Sequence, residues 1–420
     1  VSVRLSETEA PWLYRSDLQR LLVALAGTDA EARVVGGAIR NTLLAFAIGD
    51  IDIATTTKPD ETVARIEAAG FRAVPTGIAH GTVTAVTPDG ASYEITTLRE
   101  DIATDGRHAQ VRFGTDWQRD GERRDFTINA VYASHDGVLF DPVGGLADIN
   151  SGTLRFIGKA EDRIAEDYLR ILRFFRFFAW YGSGRPDAEG LKACAKMKSG
   201  LGKLSVERVW SELRKTLSAP DPARALLWMR QASVLTSVLP ESEKWGIDAI
   251  PALMSAERDL GWPLDPLLRL LAVVPPDPAR LANLAKRLKM AGGERDRLTG
   301  FAMAVPITPD CSSHQLAAAL YRGDPRAIAD RLRLDFAVAR AGAVSDPALM
   351  AKAAGYSRLL DAVNTWQRPD FPVSGRDLVA LGHEAGPQLG KALAALEDAW
   401  IDARFKPTAA ELLAQATKPD

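Results

Sequence analysis

The stretch VVGGAIRNTLLAFAIGDIDIATTTKP, residues 34–59, decides how this chain is read. A short apolar strand, Arg33 to Val35, runs into a glycine pair, Gly36 and Gly37. AIRNTLLAFA (38–47) then reads as a helix that Gly49 breaks. DIDIA (50–54) alternates polar and apolar residues, which is strand periodicity. Asp50 and Asp52 therefore share one face, and Ile51 and Ile53 share the other, toward the core. Two carboxylates held close together repel each other unless a cation sits between them. Mg²⁺ suits such a pair, because it prefers oxygen ligands and keeps positions open for substrate phosphates. In a two-metal site one ion activates the attacking hydroxyl and the other stabilises the leaving oxygens. A lone D-x-D is more often two solvent-facing aspartates on an edge strand. Here the glycines change the balance. They let a triphosphate approach a helix start, where free N–H groups and the helix dipole favour anions. Arg40, one turn into that helix, can reach the same phosphates.

Working outward, DLQRLLVALA (17–26) reads as an amphipathic helix with Leu18, Leu21, Leu22 and Leu25 inside. Strands are expected around 71–74, 82–86, 92–98 and 137–141, so the first 150 residues form a mixed α/β domain. Residues 101–124 are polar and read as a mobile loop. From Glu161 the pattern is almost wholly helical, with breaks at GSGRPD (182–187), SAPDPA (218–223) and VPPDPA (274–279). The expected fold class is α+β: a mixed-sheet head followed by an all-α remainder.

Bulk properties narrow the field. The 420 residues allow two to four domains, and the net charge of -2 means that any nucleic-acid site must be a local patch. Cys194 and Cys311 lie far apart without nearby partners. That argues against a disulfide framework or a zinc site and fits a reducing cytoplasm. No apolar run approaches a membrane span, and the first residues do not resemble a signal peptide.

The stretch 34–59 resembles the first motif of the class II tRNA nucleotidyltransferase and bacterial poly(A) polymerase family. HGTVT (80–84), YEITTLRED (93–101), RRDFTINA (123–130), DPVGGLADI (141–149), AEDYLRILRFFRF (165–177) and SVERVWSEL (205–213) follow in the family's order. The resemblance covers about residues 30–215. It implies a polymerase-β-type nucleotidyltransferase head (1–150), a helical neck that selects the base (151–217), a helical body (218–330) and a helical tail that contacts tRNA (331–420). It offers Glu94 as a third catalytic carboxylate and places Arg124, Asp125 and Asn129 at triphosphate- and sugar-binding positions. The implied activity is addition of CCA to a tRNA 3′ end from CTP and ATP, with Mg²⁺ as cofactor, RNA rather than DNA as partner, and no membrane. A poly(A) polymerase or a partial CC- or A-adding enzyme is the nearest alternative, and a non-catalytic RNA binder a more distant one. The ending ELLAQATKPD carries no strongly basic extension, which favours tRNA. Departures from the motifs are Asn41 for a usual aspartate, Ala45–Phe46 for Gly–Arg, and Ala109 for proline.

Base choice has a physical rationale. Cytosine and adenine both present an exocyclic amine beside an unprotonated ring nitrogen, whereas uracil and guanine present the reverse. A carboxylate accepts from the amine and a guanidinium donates to the nitrogen. Asp167 and Arg170, three apart in an expected helix, would fit CTP and ATP, although a surface ion pair is the ordinary reading of such spacing. Arg173, counted with the nucleotide-binding set, and Arg176 continue at helical spacing. Residues 151–215 hold 14 Lys/Arg against 8 Asp/Glu, an excess suited to tracking RNA phosphates or simply a solvated face. The cluster Phe174, Phe175, Phe177, Phe178, Trp180 and Tyr181 reads as core. His135–Asp136 lacks the further ligands that a metal phosphohydrolase needs.

Overall fold

A computed structural model describes residues 3–105, 108–243 and 245–416, with residues 100–111 described by their backbone alone. The chain divides into two compact units, Val1–Pro240 and Glu241–Asp420.

The first unit is built on a mixed sheet. Its strands are β1 (Ala32–Val35), β2 (Asp52–Thr55), β3 (Arg72–Gly77), β4 (Thr82–Val86), β5 (Ser92–Thr97), β8 (Tyr132–Ala133) and β9 (Leu139–Phe140). Their spatial order is β3-β4-β5-β2-β1-β8-β9. β2 runs parallel to β5 and antiparallel to β1. This register sets Asp52 between Val35 and Glu94. The end of β1, and hence the glycine pair, lies beside the aspartates for that reason.

Helix α1 (Ser16–Ala26) buries Leu18, Leu21, Leu22 and Leu25, as its apolar spacing predicts. Helix α2 is shorter than its apolar residues suggest. It covers Gly37–Leu43, because Ala45 adopts a left-handed φ of 55° and turns the chain out of the helix. The Asn41 side chain donates to the Ala47 carbonyl at 2.8 Å and holds that exit. Helix α3 (Pro59–Ala68) follows β2, with proline in its first turn.

The polar stretch 101–124 is not an unstructured loop. β6 (Arg99–Asp105) and β7 (His108–Phe113) pair as an antiparallel hairpin, with 106–107 outside the described residues. Helix α4 (Trp117–Glu122) follows, with the Asp116 carboxylate accepting from the backbone N–H groups of Gln118 and Arg119. A two-stranded ladder is satisfied by backbone pairing, so scarcity of apolar residues did not reveal it. The Ala109 side chain falls outside the described residues.

Helices α5 (Gly145–Ser151), α6 (Ala160–Glu166), α7 (Leu169–Tyr181), α8 (Ala188–Met197), α9 (Val206–Leu217) and α10 (Pro222–Gln231) complete most of the first unit. Phe156 and Phe174 stack with ring centroids 5.4 Å apart, and Phe126 packs against both. This aromatic joint fixes α7 to the RRDFTINA segment and so aims the arginines of α7 at the sheet's aspartates.

The second unit is helical. Its helices at Pro266–Val273, Pro278–Arg287, Pro325–Gly342 and Pro347–Thr365 begin alike. Each has an Asp side chain accepting a backbone N–H and proline in the first turn. The aspartate satisfies an orphan donor, and proline loses no bond there.

Candidate active site

A cavity of about 510 Å³ opens at the end of β1 and β2. Gly36, Gly37, Arg40, Asp50, Asp52, Arg124, Asp125, Asn129 and Arg173 all line it, as do Asn41, Gly49, Arg176 and Phe177. The fold thus gathers nine of the twelve site residues expected from the sequence.

Gly36 is needed for its backbone. Its φ is 76°, and a Cβ there would stand 3.2 Å from the Asn129 carbonyl oxygen. Its own N–H donates to the Val131 carbonyl at 3.0 Å. The glycine turn is therefore locked to the RRDFTINA segment, which brings Arg124, Asp125 and Asn129 over the aspartates.

β2 begins at Asp52, two residues later than the alternation of DIDIA suggests, and Asp50 and Ile51 precede it outside regular structure. Partial desolvation at the cavity wall raises the Asp52 pKa although the side chain opens to solvent, and the neighbouring Glu94 carboxylate adds to this; Arg124 opposes it, and Asp50 raises it further. The ionised cluster is held at an electrostatic cost that a cation would remove. Glu94 neighbours Asp52 in the strand register but is not among the cavity's lining residues. Among the described residues no three His, Cys, Asp or Glu form a closed metal cage. Two carboxylates with room beside them fit a hard cation that completes its shell with water and phosphate oxygens.

The arginines are held differently from one another. Arg124 donates to Asp120 at 3.2 Å and to the Tyr132 hydroxyl at 3.1 Å. Burial works against its charge, but Tyr132 and Asp120 outweigh it and raise its pKa. Asp120 is 1% exposed and also accepts from Arg123 at 2.6 Å. Sequence reasoning missed it by reading a loop, although its i,i+3 and i,i+4 spacing to Arg123 and Arg124 was a usable signal. Arg173 donates to Asp125 at 2.8 Å through Nε. Burial alone would raise Asp125; Arg173, Asn129 and Arg170 more than reverse it, so the carboxyl stays below its usual range. Arg176 donates to Glu212 at 2.6 Å. Arg173 and Arg176 line the cavity and pair with Asp125 and Glu212 there. Phe177 and Tyr181 likewise do more than fill a core, since both rings lie over the Arg40 guanidinium.

Asp167 and Arg170 are placed otherwise than the helix spacing suggested. Asp167 lies in the break between α6 and α7, where its Oδ1 accepts the Leu169 N–H at 3.0 Å. Its Oδ2 accepts from Arg208 at 2.6 Å. Arg170 donates to Glu166 and to the Arg163 carbonyl. The two do not pair with each other and do not line the cavity; α7 begins only after the aspartate caps it.

A mixed-sheet head with paired aspartates at a strand end, beside a glycine turn and an arginine-rich cavity, defines a nucleotidyltransferase. The poly A polymerase head domain family matches residues 32–155, and the family described as a probable RNA and SrmB-binding site of polymerase A matches 185–245. The CCA tRNA nucleotidyltransferase 1, mitochondrial, of Danio rerio is 33% identical, covering 98% of this chain and 93% of its own. The Bacillus stearothermophilus CCA-adding enzyme in complex with CTP is 26% identical with a TM-score of 0.66, covering 92% and 93% of the two chains. The Thermotoga maritima CCA-adding enzyme complexed with tRNA shares the fold, at 19% identity and a TM-score of 0.68, over 96% and 97%. The chain belongs to the family of tRNA nucleotidyltransferases and poly(A) polymerases.

Proposed function

We infer that this chain is a CCA-adding tRNA nucleotidyltransferase, which extends tRNA 3′ ends from CTP and ATP and releases pyrophosphate at each step. The observation that carries this is a full-length relationship to a CCA-adding enzyme together with a cavity that joins the aspartate pair to four arginines. The enzyme uses a divalent cation, which we take to be Mg²⁺ on Asp50 and Asp52. When bound, the cation lowers the cost of ionising the attacking hydroxyl and of developing charge on the leaving pyrophosphate.

The chain's own groups do the rest. Arg40 and Arg124 face the triphosphate and stabilise its charge as the α-phosphorus passes from pyrophosphate to the tRNA 3′ oxygen. Asn129 and Asp125 hold the sugar end. Asp167 and Arg170 read the base, once nucleotide binding has drawn them from Arg208 and Glu166, with Arg173 beside them. Glu94 is the third carboxylate: its charge opposes ionisation of Asp52 and so adds to the pull of the cluster on a cation. We assign the head to 1–150, the base-selecting neck to 151–217, the body to 218–330 and a tRNA-contacting tail to 331–420. Both cysteines are free and buried, which fits a reducing compartment, and we place the protein in the cytoplasm, although the Danio rerio relative is mitochondrial by name. No described helix is long and apolar enough to cross a membrane.

One incubation tests the reading. Purified protein with Mg²⁺, labelled CTP and ATP, and tRNA lacking its terminal CCA should yield a product three nucleotides longer. Asp50→Ala and Asp52→Ala should lower turnover by about a thousandfold or more, with unchanged circular dichroism. Long tails would identify a poly(A) polymerase instead. Variants retaining more than a few per cent of turnover would remove the aspartates from the chemistry.

A further inference from the structure

Four arginines line the cavity, and three of them are matched by carboxylates: Arg124 by Asp120, Arg173 by Asp125 and Arg176 by Glu212. Arg40 is not. Its Nε and Nη2 donate to the Asn41 side-chain oxygen at 3.2 and 2.9 Å, its Nη2 also to the Tyr181 hydroxyl at 2.9 Å, and its Nη1 to the Asn129 side-chain oxygen. The Tyr181 ring lies under the guanidinium at 4.0 Å from its centroid, with Phe177 at 5.2 Å. Every nitrogen is therefore held, and the plane is fixed, by groups that carry no charge; the charges that act on it from further off, Arg176 and Asp125, oppose each other. Arg40 is 6% exposed, so this cage replaces most of its water.

We propose that Asn41 and Tyr181 are positioning residues that orient Arg40 without neutralising it, leaving its charge for the triphosphate of the incoming nucleotide. This rests on the reading of the cavity as a nucleoside triphosphate site. A carboxylate at the Asn41 position would accept from the same two nitrogens. At that distance it would cancel much of the field that the guanidinium projects onto phosphates, because the partly desolvated cavity screens little. A neutral amide keeps the geometry and spares the field. Tyr181 supplies what an amide cannot, a flat surface that stops the guanidinium from rotating away. It also joins the two walls of the cavity, since Tyr181 ends α7 while Arg40 belongs to α2, and Phe46 braces the tyrosine edge-on at 5.4 Å.

The test uses the full chain and inorganic tripolyphosphate, which presents the phosphate end of the nucleotide alone. Asn41→Asp is isosteric and places the residue more usual in the related motif; it also gives up the Asn41 donation to the Ala47 carbonyl, so its circular dichroism and urea midpoint are compared with wild type alongside. Its affinity for tripolyphosphate, by titration calorimetry, should fall about tenfold. KM for CTP and for ATP should rise together by a similar factor, since the phosphates are common to both, with a smaller change in kcat. Tyr181→Phe keeps the ring and removes only the hydroxyl, so affinity should fall about threefold. It stands as the second variant should the first fold poorly. Unchanged tripolyphosphate affinity in both variants, with Asp52→Ala still inactive, overturns the neutral cage while leaving the transferase reading intact. Wild-type protein that neither binds tripolyphosphate nor loses transfer in Asp52→Ala overturns the cavity reading itself. A rise in KM for CTP but not ATP would place Asn41 at the base, and would also overturn the proposal.

Discussion

Arg40 in the first unit and Arg297 in the second are buried to almost the same degree, at 6% and 5% exposed, yet opposite chemistry holds them. Arg297 donates to Asp330 at 2.7 Å and pairs with Asp265 at 2.6 Å, and Asp330 has no exposed surface at all. Nearby in the same unit, Arg269 and Glu257 form a second buried pair. Those guanidinium groups are spent on joining helices. Arg40 meets only amides, a phenol and aromatic faces. Burial alone therefore does not separate a structural arginine from a functional one; opening onto the cavity does, and the charge of its partners then sets how strong a field it presents there. A matched arginine projects a weaker field than an unmatched one, so among the cavity's arginines Arg40 presents the most charge to an anion, with Arg124 adding to it despite Asp120.

The comparison is most exposed to a pair of stability measurements. Arg297→Met should destabilise the second unit by about 3 kcal/mol, because it takes the main counter-charge from the fully buried Asp330, leaving it only Arg333 at 3.6 Å, and unpairs the part-exposed Asp265. Arg40→Met should cost only about 1–2 kcal/mol, since it leaves neutral acceptors unpaired, while lowering nucleotide affinity. Urea unfolding followed by two probes, one in each unit, reads both, because two compact units need not unfold in one transition. Equal losses in the two variants would break the distinction between the two arginines.

A smaller effect concerns base choice, where the carboxylate of Asp167 is at present engaged with Arg208 and a helix N-terminus. Asp167→Asn retains an oxygen for the Leu169 N–H, so α7 keeps its cap. The new amide nitrogen can donate where only acceptance was possible, which suits the carbonyls of uracil and guanine. The ratio of kcat/KM for UTP over that for CTP, on one tRNA, should rise by roughly tenfold, equivalent to about 1.4 kcal/mol. An unchanged ratio with normal stability would leave Asp167 as a capping residue and move base selection elsewhere on the neck.

What could be read from sequence follows the same division between local and distant causes. The strand at Asp52–Thr55 and the leucines of α1 declare themselves by period, because each is decided by neighbours a few positions away, although the alternation of DIDIA starts the strand two residues early. The motif order then carried the head and the positions of Arg124, Asp125 and Asn129. The partners of charged groups were not legible. Nothing near Arg176 in the chain announces Glu212, and nothing near Arg40 announces Tyr181, 141 positions on. Those contacts exist because the stacked Phe156 and Phe174 swing α7 against the head. The hairpin over 99–113 escaped notice for a related reason: it is closed by backbone pairing, which no hydrophobic pattern records.

The smallest effect tests one position where this chain departs from the related motif. Ala45 adopts a φ of 55°, a conformation that costs an L-residue with a Cβ roughly 1–2 kcal/mol and glycine almost nothing. It is exposed, so its methyl group contributes little packing to offset that strain. Ala45→Gly should relieve the strain but also widen the unfolded ensemble, a penalty of about 0.4–1 kcal/mol. The net expectation is a gain of about 0.5 kcal/mol in the first unit, seen as a slightly higher urea midpoint with an unchanged slope. Phe46, the next residue, braces Tyr181, so a second reading comes from nucleotide affinity. If the turn is held by the Asn41 bond to Ala47 and the backbone bond from Phe46 to Asn41, as the distances of 2.8 Å for both imply, KM should not move. A rise in KM would mean that the alanine stiffens the Arg40 cage through Phe46, and that the strain is retained for nucleotide binding at the expense of stability.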